Sequence, residues 1–122
     1  MNSKAVIEMA VTTLEDMKGV DLVVIDIIGK SSIADAMVVV TGTSQRHVRS
    51  LAEQVRLAAK EANHPPLGVE GAESSDWVLV DLGDVIVHVM TEEKREFYSL
   101  EKLWSVGPSS EEPDDLAEPY QA

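Results

Sequence analysis

The sequence predicts an α/β fold, a mixed sheet of about five strands with helices mainly on one face. Three observations predict it. Apolar residues recur at helical spacing over 3–19 and again over 45–63. Short aliphatic runs of strand length occupy 20–28 and 36–41, and 76–90 holds two more joined by Gly83-Asp84. The resulting order, α-β-β-α-β-β-β-α, is one that layers helices against a sheet.

Ser3 is placed to cap a first helix that ends at Gly19, with Ile7, Ala10, Leu14 and Met17 as its buried stripe. The strand over 20–28 is apolar on both faces apart from Asp21 and Asp26, which predicts a central position. Gly29-Lys30-Ser31-Ser32 makes a turn into a second aliphatic strand over 36–41. Gly42-Thr43-Ser44 leads into a long helix ending near Asn63, whose apolar face is Val48, Leu51, Ala52, Val55, Ala59 and Ala62. Asn63-His64-Pro65-Pro66 stops it. A short strand over 67–70 and a loop over 71–75 follow.

The stretch 76–90 is the most informative. Gly83-Asp84 between two aliphatic runs reads as the two-residue loop of a type II′ hairpin, with Gly first. That turn fixes a register. Leu82 faces Val85, Val80 faces Val87 and Val78 faces Val89, all on one side of the ribbon. The other side carries Asp81 opposite Ile86, Leu79 opposite His88, and Trp77 opposite Met90. One face is uniformly aliphatic and belongs to a core. A face that mixes a carboxylate, a His, a Met and a Trp is expensive to bury completely and suits a partner. A last helix is predicted from Glu92 to Trp104, with Phe97, Leu100 and Trp104 on one stripe and Arg95, Glu101 and Lys102 as a charged rim. Four of the five aromatic residues (Trp77, Phe97, Tyr98, Trp104) lie in this last third, and Trp and Tyr are frequent interface anchors.

Composition narrows the function. The chain of 122 residues makes one domain, 1–104, followed by a tail, 105–122. The tail holds three prolines and the acids Glu111, Glu112, Asp114, Asp115 and Glu118 without a base, so disorder is expected there. The formal net charge is −12, of which −7 belongs to 1–104. An acidic body repels a phosphate backbone and favours a basic protein as partner. There is no cysteine, hence no thiolate chemistry. No leader pattern and no run of membrane-spanning length is present, so the cytoplasm is the expected compartment and no membrane partner is expected.

Catalytic patterns are weak. Asp81, Asp84 and His88 are close in sequence, but their spacing matches no metal motif, and Asp in a turn has a conformational reason. Gly42-Thr43-Ser44, with Arg46 and Arg49 after it, could cradle a phosphate. A strand-to-helix turn with a Ser or Thr cap explains the same residues without a ligand. His47 and His64 read as ordinary surface residues. No catalytic, cofactor-binding or metal-binding residue is assigned.

The ordered blocks Trp77-x-Leu79-x-Asp81-x-Gly83-Asp84-Val85-Ile86-Val87-His88-Val89-Met90 and Arg95-x-Phe97-Tyr98-x-Leu100-Glu101-x-Leu103-Trp104 resemble the Iojap-like ribosomal silencing factor family. Gly29-Lys30-Ser31-Ser32-Ile33-Ala34-Asp35, Thr41-Gly42-Thr43-Ser44-x-Arg46-His47-Val48 and Pro66-Leu67-Gly68-Val69-Glu70-Gly71 agree with it. The resemblance spans about residues 4–104 and is far more specific than a short motif. It implies a nucleotidyltransferase-like topology without catalysis. It also implies a translational repressor that binds the large ribosomal subunit through its ribosomal protein fourteen and blocks joining of the small subunit when nutrients are scarce. On that reading the partner-binding residues are Trp77, Asp81, His88, Met90, Tyr98 and Trp104, with no sequence-specific nucleic acid. Two alternatives stay open: a nucleotidyltransferase-type enzyme, and a scaffold that forms a homodimer through the Trp77 face.

Overall fold

Two parallel strands, β2 (Ala36–Gly42) and β5 (Val85–Thr91), form the centre of the fold. The computed structural model describes residues 2–28 and 34–98. Around the central pair the chain runs through α1 (Ser3–Asp16), β1 (Val20–Asp26), α2 (Gln45–Glu61), β3 (Gly68–Glu70), β4 (Trp77–Asp81) and α3 (Glu92–Tyr98). The sheet order is β1-β2-β5-β4-β3, antiparallel except between β2 and β5. This is the mixed five-stranded sheet that the sequence predicts. The expected turn at 29–32, the residues after Tyr98, and the tail at 105–122 lie outside the described residues.

α1 and α2 pack on one face. Val6, Ala10 and Leu14 from α1 and Val48, Leu51, Val55 and Ala59 from α2 meet Val38, Val40, Val78, Val80, Val87 and Val89 from the sheet. Ile7 and Met17, expected in the stripe of α1, sit half-buried at its margin. The cap of α1 is Asn2, whose side-chain oxygen accepts from Ala5 N–H at 2.8 Å. Ser3, expected there, is the first helical residue, and its hydroxyl donates to the Asp35 carboxylate at 2.9 Å. Either residue type can cap; the helix starts one residue earlier than its apolar spacing suggests.

Both long helices end in the same way. Lys18 (φ 63°) and Asn63 (φ 61°) take the left-handed conformation. The next N–H, of Gly19 or His64, then reaches back to Leu14 O at 2.8 Å or Ala59 O at 2.9 Å. This is the Schellman closure that satisfies carbonyls left over at a helix end.

β1 is an edge strand, not the central one expected. It ends at Asp26, and Val24 is 43% exposed. The physical reason is that both faces of the sheet carry apolar clusters. Ile25 and Ile27 of this segment are buried on the face away from the helices and Leu22 packs at the margin of the helix-side core, while Val24 stays open. Apolar residues in a strand therefore do not report a second neighbouring strand. The pairing slips between Val20 and Val23, and Asp21 and Asp26 are exposed, features that blunt an edge.

The hairpin has the predicted register: Trp77↔Met90, Val78↔Val89, Leu79↔His88, Val80↔Val87 and Asp81↔Ile86. Leu82 N–H donates to Val85 O at 2.9 Å across the turn. Gly83 has φ +93°, a conformation that a two-residue hairpin needs and a side chain resists.

Candidate functional site

Strand alternation sends Trp77, Leu79 and Asp81 of β4, and Ile86, His88 and Met90 of β5, to the face away from α1 and α2. There Trp77, Ile86 and Met90 adjoin Ile25, Ile27, Met37 and Val39 in a second apolar cluster. Cross-sheet rows follow from the pairing. Val23, Val39, His88 and Leu79 lie in line, as do Thr41, Met90 and Trp77.

Trp77 is positioned by the loop before it. Ser75 is buried with φ 62°, donates to Ala72 O at 3.0 Å, and accepts from Arg49 of α2 at 2.9 Å. The Gln45 side chain donates to the Asp76 carboxylate at 2.6 Å, and Asp76 O accepts from Thr91 N–H at 3.0 Å. Gly71 (φ +85°) passes so close that a Cβ there would run into the Trp77 carbonyl oxygen. The start of β4 is therefore clamped between α2 and β5.

The half-buried Trp77 ring lies on a diagonal from His88. Its Nε1–H donates to His88 Nδ1 at 3.0 Å, and the ring centroids are 5.9 Å apart with a tilt of 45°. His88 is 8% exposed, and burial lowers its pKa to about 4, so the ring is neutral at neutral pH. An indole nitrogen can only donate, so Nδ1 carries no proton and Nε2 does.

The remaining expected contact residues are placed differently from one another. Met90 is fully buried, beside Thr41, whose hydroxyl accepts from Arg95 of α3 at 2.9 Å. Asp81 is half-buried, and its carboxylate accepts from Gly83 N–H at 2.9 Å, holding the hairpin turn. The side chain of Tyr98, at the end of α3, and all of Trp104 lie outside the described residues. Arg95 is not a rim residue. It is buried, and its guanidinium donates to the Thr41 hydroxyl on β2.

The parts that loosely resemble a nucleotidyltransferase are not brought together. Gly42 pairs with Thr91 at one end of the parallel pair, and Ala36 pairs with Val85, next to Asp84, at the other. Six residue steps separate them, roughly 20 Å at about 3.3 Å per residue. Ser44 caps α2, accepting from His47 N–H at 3.0 Å. Thr43 N–H donates to His47 Nδ1 at 2.9 Å. A cavity of about 300 Å³ at that end is lined by Asp21, Glu92 and Glu93 with Thr41, Thr43 and Thr91. Its lining is acidic and would repel a phosphate.

Sequence reasoning missed two histidines. His47 Nε2–H donates to Met17 O at 2.9 Å and ties the end of α1 to the start of α2. His64 Nε2–H donates to Leu82 O at 2.8 Å. Both acceptors are distant in sequence, so no local pattern announces them.

The chain matches the family model described as "Ribosomal silencing factor during starvation" over residues 1–122. It is 46% identical over 101 residues to the ribosomal silencing factor RsfS of Haemophilus influenzae, covering 83% of this chain and 99% of that protein. The mouse "Mitochondrial assembly of ribosomal large subunit protein 1" is 32% identical over 109 residues, covering 87% of this chain and 48% of that protein. The crystal structure of a Chromobacterium violaceum protein superimposes with a TM-score of 0.84 at 43% identity, covering 85% of this chain and 87% of that one. Fold, hairpin sequence and whole-length similarity agree, and the chain belongs to the ribosomal silencing factor family.

Proposed function

We propose that this chain represses translation by binding the large ribosomal subunit through ribosomal protein fourteen, where it blocks joining of the small subunit. The repression would act chiefly when nutrients are scarce, in the cytoplasm, and by steric exclusion without chemistry. The observation that carries the reading is the second face of the sheet, where a half-buried Trp77 is held rigidly by His88 and by the loop clamped to α2. A rigid aromatic on an apolar surface is a typical hot spot. Trp77, Asp81, His88, Met90, Tyr98 and Trp104 are the proposed contact and supporting residues.

Other observations support parts of the reading. The mouse relative is named for assembly of the large ribosomal subunit. A net charge of −12 suits a basic protein and disfavours direct contact with nucleic acid. The separation of Gly42-Thr43-Ser44 from Asp84 favours a non-catalytic role. Co-sedimentation tests the proposal: the chain is expected with isolated large subunits and absent from joined ribosomes. Solution mass, measured with and without ribosomal protein fourteen, separates this from a homodimer through the same face.

A further inference from the structure

We infer that His88 determines specificity at this surface through its Nε2–H, and that the acceptor is a carbonyl oxygen on the protein partner. The inference rests on the proposed large-subunit reading and adds the polar contact that reading lacks. His88 is more than nine-tenths buried, and among the described residues its ring hydrogen bond, from Trp77, uses Nδ1. Among the described residues nothing accepts from Nε2. A buried donor left without an acceptor is costly and uncommon in a folded protein.

The chain itself shows what such a donor takes. The Nε2–H groups of His47 and His64 each donate to a backbone carbonyl, Met17 O at 2.9 Å and Leu82 O at 2.8 Å. His88 is the third histidine and stands beside the half-buried Trp77 and Leu79. A carbonyl is favoured over a carboxylate on electrostatic grounds. The chain carries −12, and a carboxylate entering this face would be desolvated against an acidic body. Trp77 then has two tasks. Its ring offers apolar area, and its N–H fixes the tautomer that aims one proton at the partner.

The amide series separates the two ring nitrogens. Asn at this position places its amide near Nδ1 and leaves Nε2 empty, while the longer Gln reaches the Nε2 position. The full chain is titrated against isolated large ribosomal subunits. His88→Asn, which keeps an acceptor for Trp77 but loses the Nε2 donor, is expected to bind about ten-fold more weakly than the parent and more weakly than His88→Gln, which keeps that donor. Equal binding by folded His88→Asn and the parent overturns the inference, and so does equal loss in both variants.

A second measurement uses the unsubstituted chain and does not depend on either variant folding. The His88 ring ¹⁵N and ¹H signals are followed with and without purified ribosomal protein fourteen. A protonated Nε2 whose exchange with water slows in the complex is expected. A proton on Nδ1, or an Nε2–H unchanged by a partner that does bind, overturns the inference. If the parent binds neither the subunit nor that protein, the large-subunit reading itself has failed. Failure of the variants' contrast with a binding parent removes only the role of His88.

Discussion

Trp77 and His88 do not face each other across the hairpin, yet one 3.0 Å hydrogen bond joins the indole Nε1–H to the imidazole Nδ1. The bond runs diagonally between the Trp77–Met90 and Leu79–His88 pairs, within reach for large rings. It holds a half-buried aromatic rigid and leaves a neutral, buried histidine beneath it.

Acid should destabilise the fold through His88. Its pKa is about 4 when folded, against 6.5 for the free side chain. Between these values the unfolded chain binds the proton and the folded chain does not, so stability falls as pH drops through that window. The shift corresponds to a loss on the order of 3 kcal/mol by pH 4. Denaturant melts at pH 7 and pH 4.5 on the parent and on His88→Gln check it. The parent is expected to lose more than the variant over that interval. Parallel losses would mean that other groups drive acid unfolding.

The two faces of β4 should answer differently to truncation. Val80 is fully buried against the helices. Val80→Ala removes two methyl groups and should cost about 2 kcal/mol, roughly 10 °C in melting temperature, while folded protein still binds. Trp77→Ala leaves His88 Nδ1 without its donor, at about 1–3 kcal/mol of stability. It is expected to remain folded and to lose roughly thirty-fold to several-hundred-fold in binding. Subunit titrations decide, with thermal melts showing that both variants are folded.

Two glycines should fail for different reasons. At Gly83 there is open space, with Leu67 Cδ1 3.9 Å from where an added Cβ would sit, but φ is +93°. Gly83→Ala should cost about 1–2 kcal/mol through backbone strain alone. At Gly71 a methyl group would also collide with the Trp77 carbonyl. Gly71→Ala should therefore cost more than Gly83→Ala and weaken subunit binding as β4 shifts. Melting temperatures rank the pair.

No nucleotide chemistry is expected. Purified chain with magnesium and nucleoside triphosphates should show no turnover above a boiled control. Turnover lost in both Asp81→Ala and Asp84→Ala would contradict this, since the structure gives Asp81 to the Gly83 N–H.

Much of this arrangement is legible in the residues. The Gly83-Asp84 turn fixes the hairpin register, and alternation then assigns Val80 and Trp77 to opposite faces. Helix spacing finds the buried stripe of α2 apart from Ala62, which becomes its cap. The position of β1 is not legible, because an exposed apolar residue such as Val24 is ordinary and apolar composition does not report the presence of a neighbouring strand. At the candidate site, sequence finds the face and its residues but not their division of labour. That Met90 is buried, that Asp81 holds the turn and that Arg95 reaches Thr41 all depend on contacts between distant segments. The same holds for the Nδ1 partner of His88, which lies on the other strand along a diagonal.

The most direct test is a subunit-joining assay, in which small subunits are added to isolated large subunits and the yield of joined ribosomes is read by sedimentation. The parent chain, preincubated with large subunits, is expected to lower that yield in proportion to its occupancy, and Trp77→Ala at the same concentration is expected to restore it. Undiminished joining with the parent bound, or inhibition by folded Trp77→Ala equal to the parent's, would contradict the claim that the Trp77 face excludes the small subunit.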